Sequence, residues 1–387
     1  MKQKMLEGIR IADLTTVIFG PYCTQILADL GASVVKVEPA VGDAFRLVGQ
    51  PPVTAKMGPG HLRLNRGKRS VVWDLKSPAG RLALNRLIES SDVFIHNIRS
   101  EAVARMGMTY EVVKTIKPDI VYVHCSGFNS SGPYSSLPAY DDIIQAGSGI
   151  TSLLPHVDSN PAPRYFPMAM ADKVSGLHAA YAVLAALFHR ERTGEGQKVE
   201  VPMLESVASF TLLEHLSNKT FIPPTGTSLY KRQVDPERQP FRTKDGYISI
   251  APYLEYRWVR LFVAAGRQDI VKTRNLNATG LGLAKHEDML LRALREITPS
   301  RTTAEWLTLC KTAEVPAMRA NTVDELLEDP HMNAVGMFKR RTHPTEGEYI
   351  EVQPPVKFSA RDFPEPSHAP QIGENTAEVL RELGIPQ

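Results

Sequence analysis

Through residues 9–125, short runs of β-branched and apolar residues alternate with stretches in which apolar positions recur every three or four residues. Ile9–Leu14, Ser33–Glu38, Ser70–Trp73, Val93–His96 and Ile120–His124 read as strands, bounded by Gly, Pro, Ser or Asp. Helical spacing predicts helices over Pro21–Leu30, Pro78–Ser90 and Tyr110–Ile116, with Gly31 stopping the first. A strand–helix alternation of this kind predicts an α/β fold with a parallel sheet.

The pattern then loosens. Residues 126–171 are rich in Gly, Ser and Pro, with one short helix expected around Asp141–Ala146. Lys173–Arg192 is strongly helical, with Val174, Leu177, Tyr181, Leu184 and Phe188 on one stripe, and its alanines and Gly176 permit close packing against a neighbour. Gly194-Glu195-Gly196 turns the chain into a strand at Lys198–Val201, and Leu204–Leu216 is a further helix. Pro223, Pro224, Gly226 and the charged stretch Lys231–Arg238 mark a change of domain. A smaller α+β unit follows, opening with Lys244-Asp245-Gly246 before a strand at Tyr247–Ala251. Strand character returns at 348–358, and Glu374–Leu383 reads as a terminal helix with capping residues. The expected domains are a large one over 1–220, a small one over 221–328, and a return to the large domain over 329–387.

Length supports that division, since 387 residues exceed what one core usually serves. A net charge of +3 is too small for nucleic acid or an anionic membrane to be held by bulk charge, so neither is expected as a partner. The longest apolar run, Ala179–Phe188, is ten residues and a membrane span needs about 20. Cys23, Cys125 and Cys310 form no metal-ligand spacing, and Glu7 and Arg10 come early with no apolar signal segment before them. A cytoplasmic protein without a metal is expected.

The first strand–helix–strand unit invites a dinucleotide reading, but Thr15-Thr16-Val17-Ile18-Phe19-Gly20-Pro21 lacks the glycine pattern that cradles a pyrophosphate. Asp172 offers different chemistry. In the first turn of a helix, the dipole and free amides hold a carboxylate ionised, and an oriented, partly desolvated carboxylate attacks a thioester. The local sequence taken alone fits a helix cap better.

Gly8-Ile9-Arg10-Ile11-Ala12-Asp13-Leu14, Gly20-Pro21, Leu27-Ala28-Asp29-Leu30-Gly31-Ala32, Val35-Lys36-Val37-Glu38-Pro39 and Gly42-Asp43 together resemble the opening of the class III coenzyme A transferases, the CaiB/BaiF group that includes formyl-CoA transferase and carnitine CoA-transferase. Asn65 to Ser70, Asp74-Leu75-Lys76, Arg105-Met106-Gly107, Gly127-Phe128, Gly132-Pro133, Thr193 to Gln197, Val315-Pro316-Ala317, Asp329-Pro330 and Gly373 to Thr376 extend the resemblance over nearly the whole chain. It implies a large Rossmann-like parallel-sheet domain plus a smaller α+β domain, the chain forming an open ring that interlocks with a second subunit in a homodimer. It also implies that Asp172, before the Ala/Gly-rich helix, is acylated and then carries CoA as a thioester between two acids. The partners are then an acyl-CoA donor and a small carboxylate acceptor, with coenzyme A as substrate and no tightly bound cofactor.

Carried over by position, the family's CoA contacts fall on Ile18, Phe19, Trp73, Asp74, Leu75, Lys76, Asn97, Ile98, Arg99, Arg105, Pro138, Ala139, Tyr140 and Asp141. Lys76, Arg99 and Arg105 fit a solvated surface first and CoA phosphates second; Trp73 fits adenine or the core equally. Arg46, Arg164 and Lys231–Arg238 are candidate cations for the distal carboxylate of an acid such as succinate. Two departures stand out. Ile18 replaces the glutamine of formyl-CoA transferase, and no glycine-rich loop lies between Pro240 and Arg257 to shield an anhydride. Two rivals stay open: an α-methylacyl-CoA racemase, whose histidine is here Tyr140, a poor base at neutral pH, with His124, His156 and His178 as substitutes; and a silent CoA-binding protein.

Overall fold

The computed structural model describes residues 4–51, 53–158, 160–284, 286–360 and 362–386. The chain divides into two compact units, one of Met1–Thr151, Tyr165–Leu213 and Val335–Gln387, the other of Ser152–Arg164 and Glu214–Ala334. The segment 152–164, which the pattern reading leaves with the first domain, sorts with the second, where the Val157 carbonyl accepts a hydrogen bond from Gln239 Nε2.

The first unit runs β1 (Arg10–Leu14), α1 (Phe19–Asp29), β2 (Ser33–Glu38), α2 (Pro59–Asn65), β3 (Lys68–Val72), α3 (Pro78–Glu89), β4 (Val93–His96), α4 (Ser100–Arg105), α5 (Tyr110–Ile116), β5 (Val121–Ser126) and α6 (Asp141–Gly147). After α7 (Leu154–Asp158) in the second unit come α8 (Met170–Thr193), β6 (Gln197–Pro202) and α9 (Met203–His215). The six strands are all parallel in the order β3-β2-β1-β4-β5-β6. The chain therefore works outward from β1 to one edge, then returns to β4 on β1's other side. Between β1 and β4 the sheet has its topological switch point.

Side chains alternate across a strand, and here both faces are buried, which is why the strands read as near-continuous apolar runs. Ile11, Val34, Val93, Ile95 and Val123 pack with Cys23 and Leu27 of α1 and Ala179, Ala180 and Val183 of α8. Ala12, Val35, Val37, Phe94 and Tyr122 face Leu84, Leu87 and Ile88 of α3 and Val113 of α5. The closest helix contact is at Gly176 of α8, where an added Cβ would stand 2.9 Å from Tyr22 Cδ1 and 3.0 Å from the Phe19 carbonyl oxygen. Only glycine lets α1 and α8 approach so closely. Gly194 then ends α8 in the left-handed conformation, φ 75°.

The second unit holds a three-stranded antiparallel sheet of β7 (Phe241–Arg242), β8 (Tyr247–Ile250) and β9 (Ala317–Arg319). Its core joins Trp258, Phe262, Leu294 and Trp306. The chain returns to the first unit through the antiparallel pair β10 (Phe338–His343) and β11 (Gly347–Val352) and the last described helix, Thr376–Glu382. The strand expected over 348–358 stops at Val352, ahead of Pro354 and Pro355, which cannot donate to a ladder. The expected side-chain cap of the last helix is not made: the N-cap residue Asn375 accepts the Ser70 backbone N–H of β3 and donates to Glu378. No described helix is long and apolar enough to cross a membrane.

Candidate active site

The loop from β1 to α1 is held from beneath by buried charge. Asp13, fully buried at the end of β1, accepts hydrogen bonds from Thr15 N (2.8 Å), Thr15 Oγ1 (2.5 Å) and Thr24 Oγ1 (2.6 Å). Lys36 Nζ donates to the Thr15 carbonyl at 2.6 Å and pairs with Asp43 at 2.9 Å. Asp43 receives the Val17 backbone N–H at 3.0 Å. On the opposite side, Asn97 grips Thr16 with both ends of its amide, accepting from its N–H at 3.0 Å and donating to its carbonyl at 2.9 Å. Between these supports Val17 adopts φ 70°, a conformation that a β-branched residue keeps only where its surroundings over-determine it. The loop delivers Phe19 to the first turn of α1.

Opposite stands Asp172, the third residue of α8 and 9% exposed. Its backbone N–H donates to Asp141 Oδ1 at 3.0 Å, and Asp141, first residue of α6, takes Gln145 Nε2 on its other oxygen at 2.6 Å. Gln145 in turn fixes the approach to α8, accepting from Phe166 N and donating to the Met168 carbonyl. Burial, and after it the charge of Asp141, pushes the Asp172 carboxyl up to about 7, against a backbone hydrogen bond from Phe19 and the charge of Lys173. The helix start is expected to keep the group ionised; burial and the Asp141 charge act against that.

Asp172 and Phe19 line a cavity of about 260 Å³ at the carboxyl ends of the strands beside the switch point. Thr16 and Val17 follow β1, Asn97, Ile98, Arg99 and Ser100 follow β4, His124 to Phe128 lie at the end of β5, and Glu200 and Met203 at the end of β6. Ala139, Tyr140 and Asp141 complete the wall. Of the positions singled out from sequence, the fold thus brings together Phe19, Asn97, Ile98, Arg99, Ala139, Tyr140, Asp141 and Asp172. Pro138 is exposed beside Ala139. Ile18 lines a different, apolar cavity. Trp73 to Lys76 follow the edge strand β3, two strands from β1: Trp73 is packed in the core with its Nε1 unpaired among the described residues, Leu75 lies against that core, Asp74 accepts the Lys76 backbone N–H, and the Lys76 side chain is in solvent. Arg105 is exposed at the end of α4.

Residue types alone did not point to His124 and Glu200 together. His96, His124 and Glu200 are register partners across β4, β5 and β6, so one row of the sheet ends in three polar side chains. His96 and His124 stack at 4.7 Å. Because the Tyr122 hydroxyl donates to the Met108 carbonyl, it accepts from His96 Nε2, leaving His96 Nδ1 to accept the Ile98 N–H. His124 Nε2 reaches the Ile98 carbonyl at 3.2 Å. Burial pushes both imidazoles below the usual range, so two neutral rings hold the Ile98 backbone in the cavity wall. Glu200 accepts from Ser130 N and Oγ and so steadies the loop after β5.

Three of the cations considered for an acid's distal carboxylate, Arg46, Arg164 and Arg232, are held in ion pairs. Arg46, wholly buried, forms a two-pronged pair with Glu38, whose carboxyl it holds at about 2 against the opposing effect of burial. Arg164 pairs with Asp158, Arg232 with Glu287, and Arg238 donates to Gln233. Among the described residues no group of His, Cys, Asp or Glu is placed to hold a metal ion.

Residues 6–376 match the sequence model of CoA-transferase family III. The succinate–glutarate CoA-transferase of Agrobacterium fabrum is 32% identical over 98% of this chain and 95% of its own length. The human succinyl-CoA:glutarate CoA-transferase is 30% identical over 98% of this chain and 86% of its own. Among solved structures, a CaiB/BaiF family protein from Brucella suis superposes with a TM-score of 0.83 at 28% identity, covering 99% of this chain and all of the other.

Proposed function

Because the chain belongs to CoA-transferase family III, and so is an enzyme that transfers CoA, we propose that Asp172 is the group through which the transfer runs. The observation that carries the reading is a buried carboxyl at a cavity's inner wall, facing the start of α1, with its pKa raised close to neutrality. At pH 7 a sizeable fraction is the carboxylate, and a raised pKa makes that carboxylate a better nucleophile.

The steps follow from thioester chemistry. An Asp172 oxygen attacks the thioester carbonyl, the C–S bond breaks, and CoA leaves as thiolate from a mixed anhydride. The thiolate attacks the aspartyl carbonyl and expels the donor's acid as its carboxylate, leaving an aspartyl-CoA thioester. The acceptor's carboxylate then displaces the thiolate, forming a second anhydride, and thiolate attack on the acceptor's acyl carbon regenerates Asp172. Each thioester is exchanged for another, so no ATP is consumed. The Gly20 backbone N–H in the first turn of α1 is a donor of the type suited to the oxyanion of each tetrahedral intermediate.

The cavity suits the thiol end of CoA rather than the whole molecule. Ile98 and Arg99 flank that end in this reading, and Lys76 and Arg105 are assigned to the nucleotide end. The two relatives act on succinate or glutarate by name, which makes short dicarboxylates the first acceptors to try. A cytoplasmic homodimer of interlinked chains belongs to the same proposal, on the strength of the family resemblance. The mechanism is tested by adding acyl-CoA, quenching with hydroxylamine or borohydride, and mapping the adduct by mass. Asp172 is expected to carry the hydroxamate or alcohol; CoA exchange with Asp172 unmodified sinks the mechanism.

A further inference from the structure

Val17, between β1 and α1, adopts φ 70°, a conformation that a β-branched side chain disfavours. The groups that hold it there come from other parts of the chain. Asp43, buried after β2, accepts the Val17 N–H on both carboxylate oxygens, at 3.0 and 3.2 Å. Asp43 is itself fixed from three sides. Lys36 Nζ pairs with it at 2.9 Å, the Phe45 N–H donates to it at 3.0 Å, and its own N–H donates to Glu38 at 3.0 Å.

Behind the turn, Gly20 lies so close to Thr15 that an added Cβ would overlap the Thr15 side chain, so the loop cannot give way by sliding toward β1. Two residues beyond Val17, the Phe19 N–H donates to the Asp172 carboxyl. Turning Val17 to an ordinary negative φ would rotate the peptides that follow and carry this N–H off the carboxyl. The line of contact from Asp43 to Asp172 therefore runs through Val17, Ile18 and the Phe19 N–H.

Resting on the transfer reading of Asp172, we propose that Asp43 is a positioning residue for the reaction: by holding Val17 in the left-handed turn it keeps the Phe19 N–H on one oxygen of Asp172 through the whole cycle. The oxygen that accepts this N–H is the poorer nucleophile, so the other one attacks the thioester carbonyl. The held oxygen is then the carbonyl oxygen of the aspartyl anhydride. When the CoA thiolate adds to the aspartyl carbon, the C=O electron pair moves onto that oxygen, against a donor already in place. When the pair returns, the C–O bond to the donor's acid breaks and the acid leaves as its carboxylate.

Steady-state transfer rates of the full chain across pH, for Asp43→Asn with and without Val17→Asn, test this directly. Asp43→Asn removes the charge that fixes the turn and keeps the side chain's shape. Its kcat is expected to fall by about tenfold or more, with KM for acyl-CoA within about threefold. The acid limb of kcat/KM should move to higher pH, because the Phe19 N–H no longer favours the carboxylate. Asp141 of α6 and Lys173 of α8, the charged groups facing Asp172, are unchanged, and loss of the Asp43 charge alone would move the limb down. Asparagine enters the left-handed region more readily than valine, so the double variant should recover at least about threefold of the lost kcat and bring the limb back. Val17→Pro, whose fixed φ excludes the turn, leaves the Lys36–Asp43 pair in place and serves where Asp43→Asn fails to fold; the same loss and the same raised limb are expected. A wild-type rate in Asp43→Asn or Val17→Pro, a limb that stays or falls, or a loss that Val17→Asn does not repair overturns the proposal. Hydroxylamine trapping on the wild type separates the two readings. An adduct on Asp172 beside any of those results sinks the role of Asp43 alone, whereas transfer with Asp172 unmodified sinks the transfer reading itself.

Discussion

At the scale of single residues, the proposed chemistry turns on two carboxylates joined through one backbone amide. Asp172 is buried, and Asp141 sits against its N–H, adding a like charge to the cost of burial. In the proposed mechanism only the ionised Asp172 attacks, so kcat/KM for the acyl-CoA donor should rise with pH, tenfold per unit, and level off above about 7. Asp141→Asn removes the like charge and leaves burial, the larger cause, in place. Its acid limb should move down by about one unit without reaching the ordinary carboxylate range. At pH 6 the variant would then run at about half of its own plateau, against about a tenth for the wild type. A pH profile of initial rates decides it. An unmoved limb would mean that the titrating group is not Asp172, or that Asp141 does not act on it. Asp172 could be singled out in the sequence only through its place in the family resemblance, since an acidic residue at a helix start fits a cap as well. Its raised pKa was not legible, since that comes from burial against α1 and from a residue 31 positions away.

At the scale of elements, the site depends on how closely α1 and α8 approach. Gly176 lies one turn beyond Asp172 on α8 and touches Tyr22 and the Phe19 carbonyl. Gly176→Ala would force those contacts apart by several tenths of an ångström and carry Phe19 away from Asp172. The expected result is a loss of kcat of tenfold or more, with a stability cost of about 1–3 kcal/mol. Leu84→Ala, in the core on the sheet's other face, is the control. It should cost about 2–5 kcal/mol in stability and leave kcat within a few-fold. Urea unfolding and steady-state rates on both variants check the contrast; equal kcat losses would show that activity follows general stability and not this contact. The helical stripe and Gly176 were readable as a packing surface, but the partner helix was not, because pairing α8 with α1 needs the strand order.

At the scale of the whole molecule, most strands of the first unit were legible because each carries apolar, β-branched residues closed by turn residues, whereas β3 opens on Lys68-Arg69 and β6 alternates Lys198 and Glu200 with valines. The pair β10–β11 was only half legible. Phe338-Lys339-Arg340-Arg341-Thr342-His343 carries three cations, and it is a strand because β11 pairs with it. The row of His96, His124 and Glu200 was hidden for a related reason, since it exists only once three strands are in register. The same non-local logic governs the last 21 residues, which close the first unit. Arg46 Nη1 and Nη2 and His61 Nε2 converge on the Pro370 carbonyl, and Gly67 N donates to the Ser367 carbonyl. Ser70 N and Val72 N of β3 donate to Asn375 and Thr376, and Val379 is buried against the sheet. A chain ending at Pro366 would leave Arg46 and His61 buried without their acceptor, each worth about 1–3 kcal/mol, besides exposing the apolar seat of Val379. Such a chain should lose at least ~4 kcal/mol in urea unfolding. It should lose transfer activity as well, because Arg46 pairs with Glu38, Glu38 accepts the Asp43 N–H, and Asp43 holds the Val17 turn beside Asp172. Adding the missing 21 residues back as a peptide should restore part of both. A truncated chain as stable and active as the full one would show that the segment lies on the unit without completing it, and that the buried charges support the loop unaided.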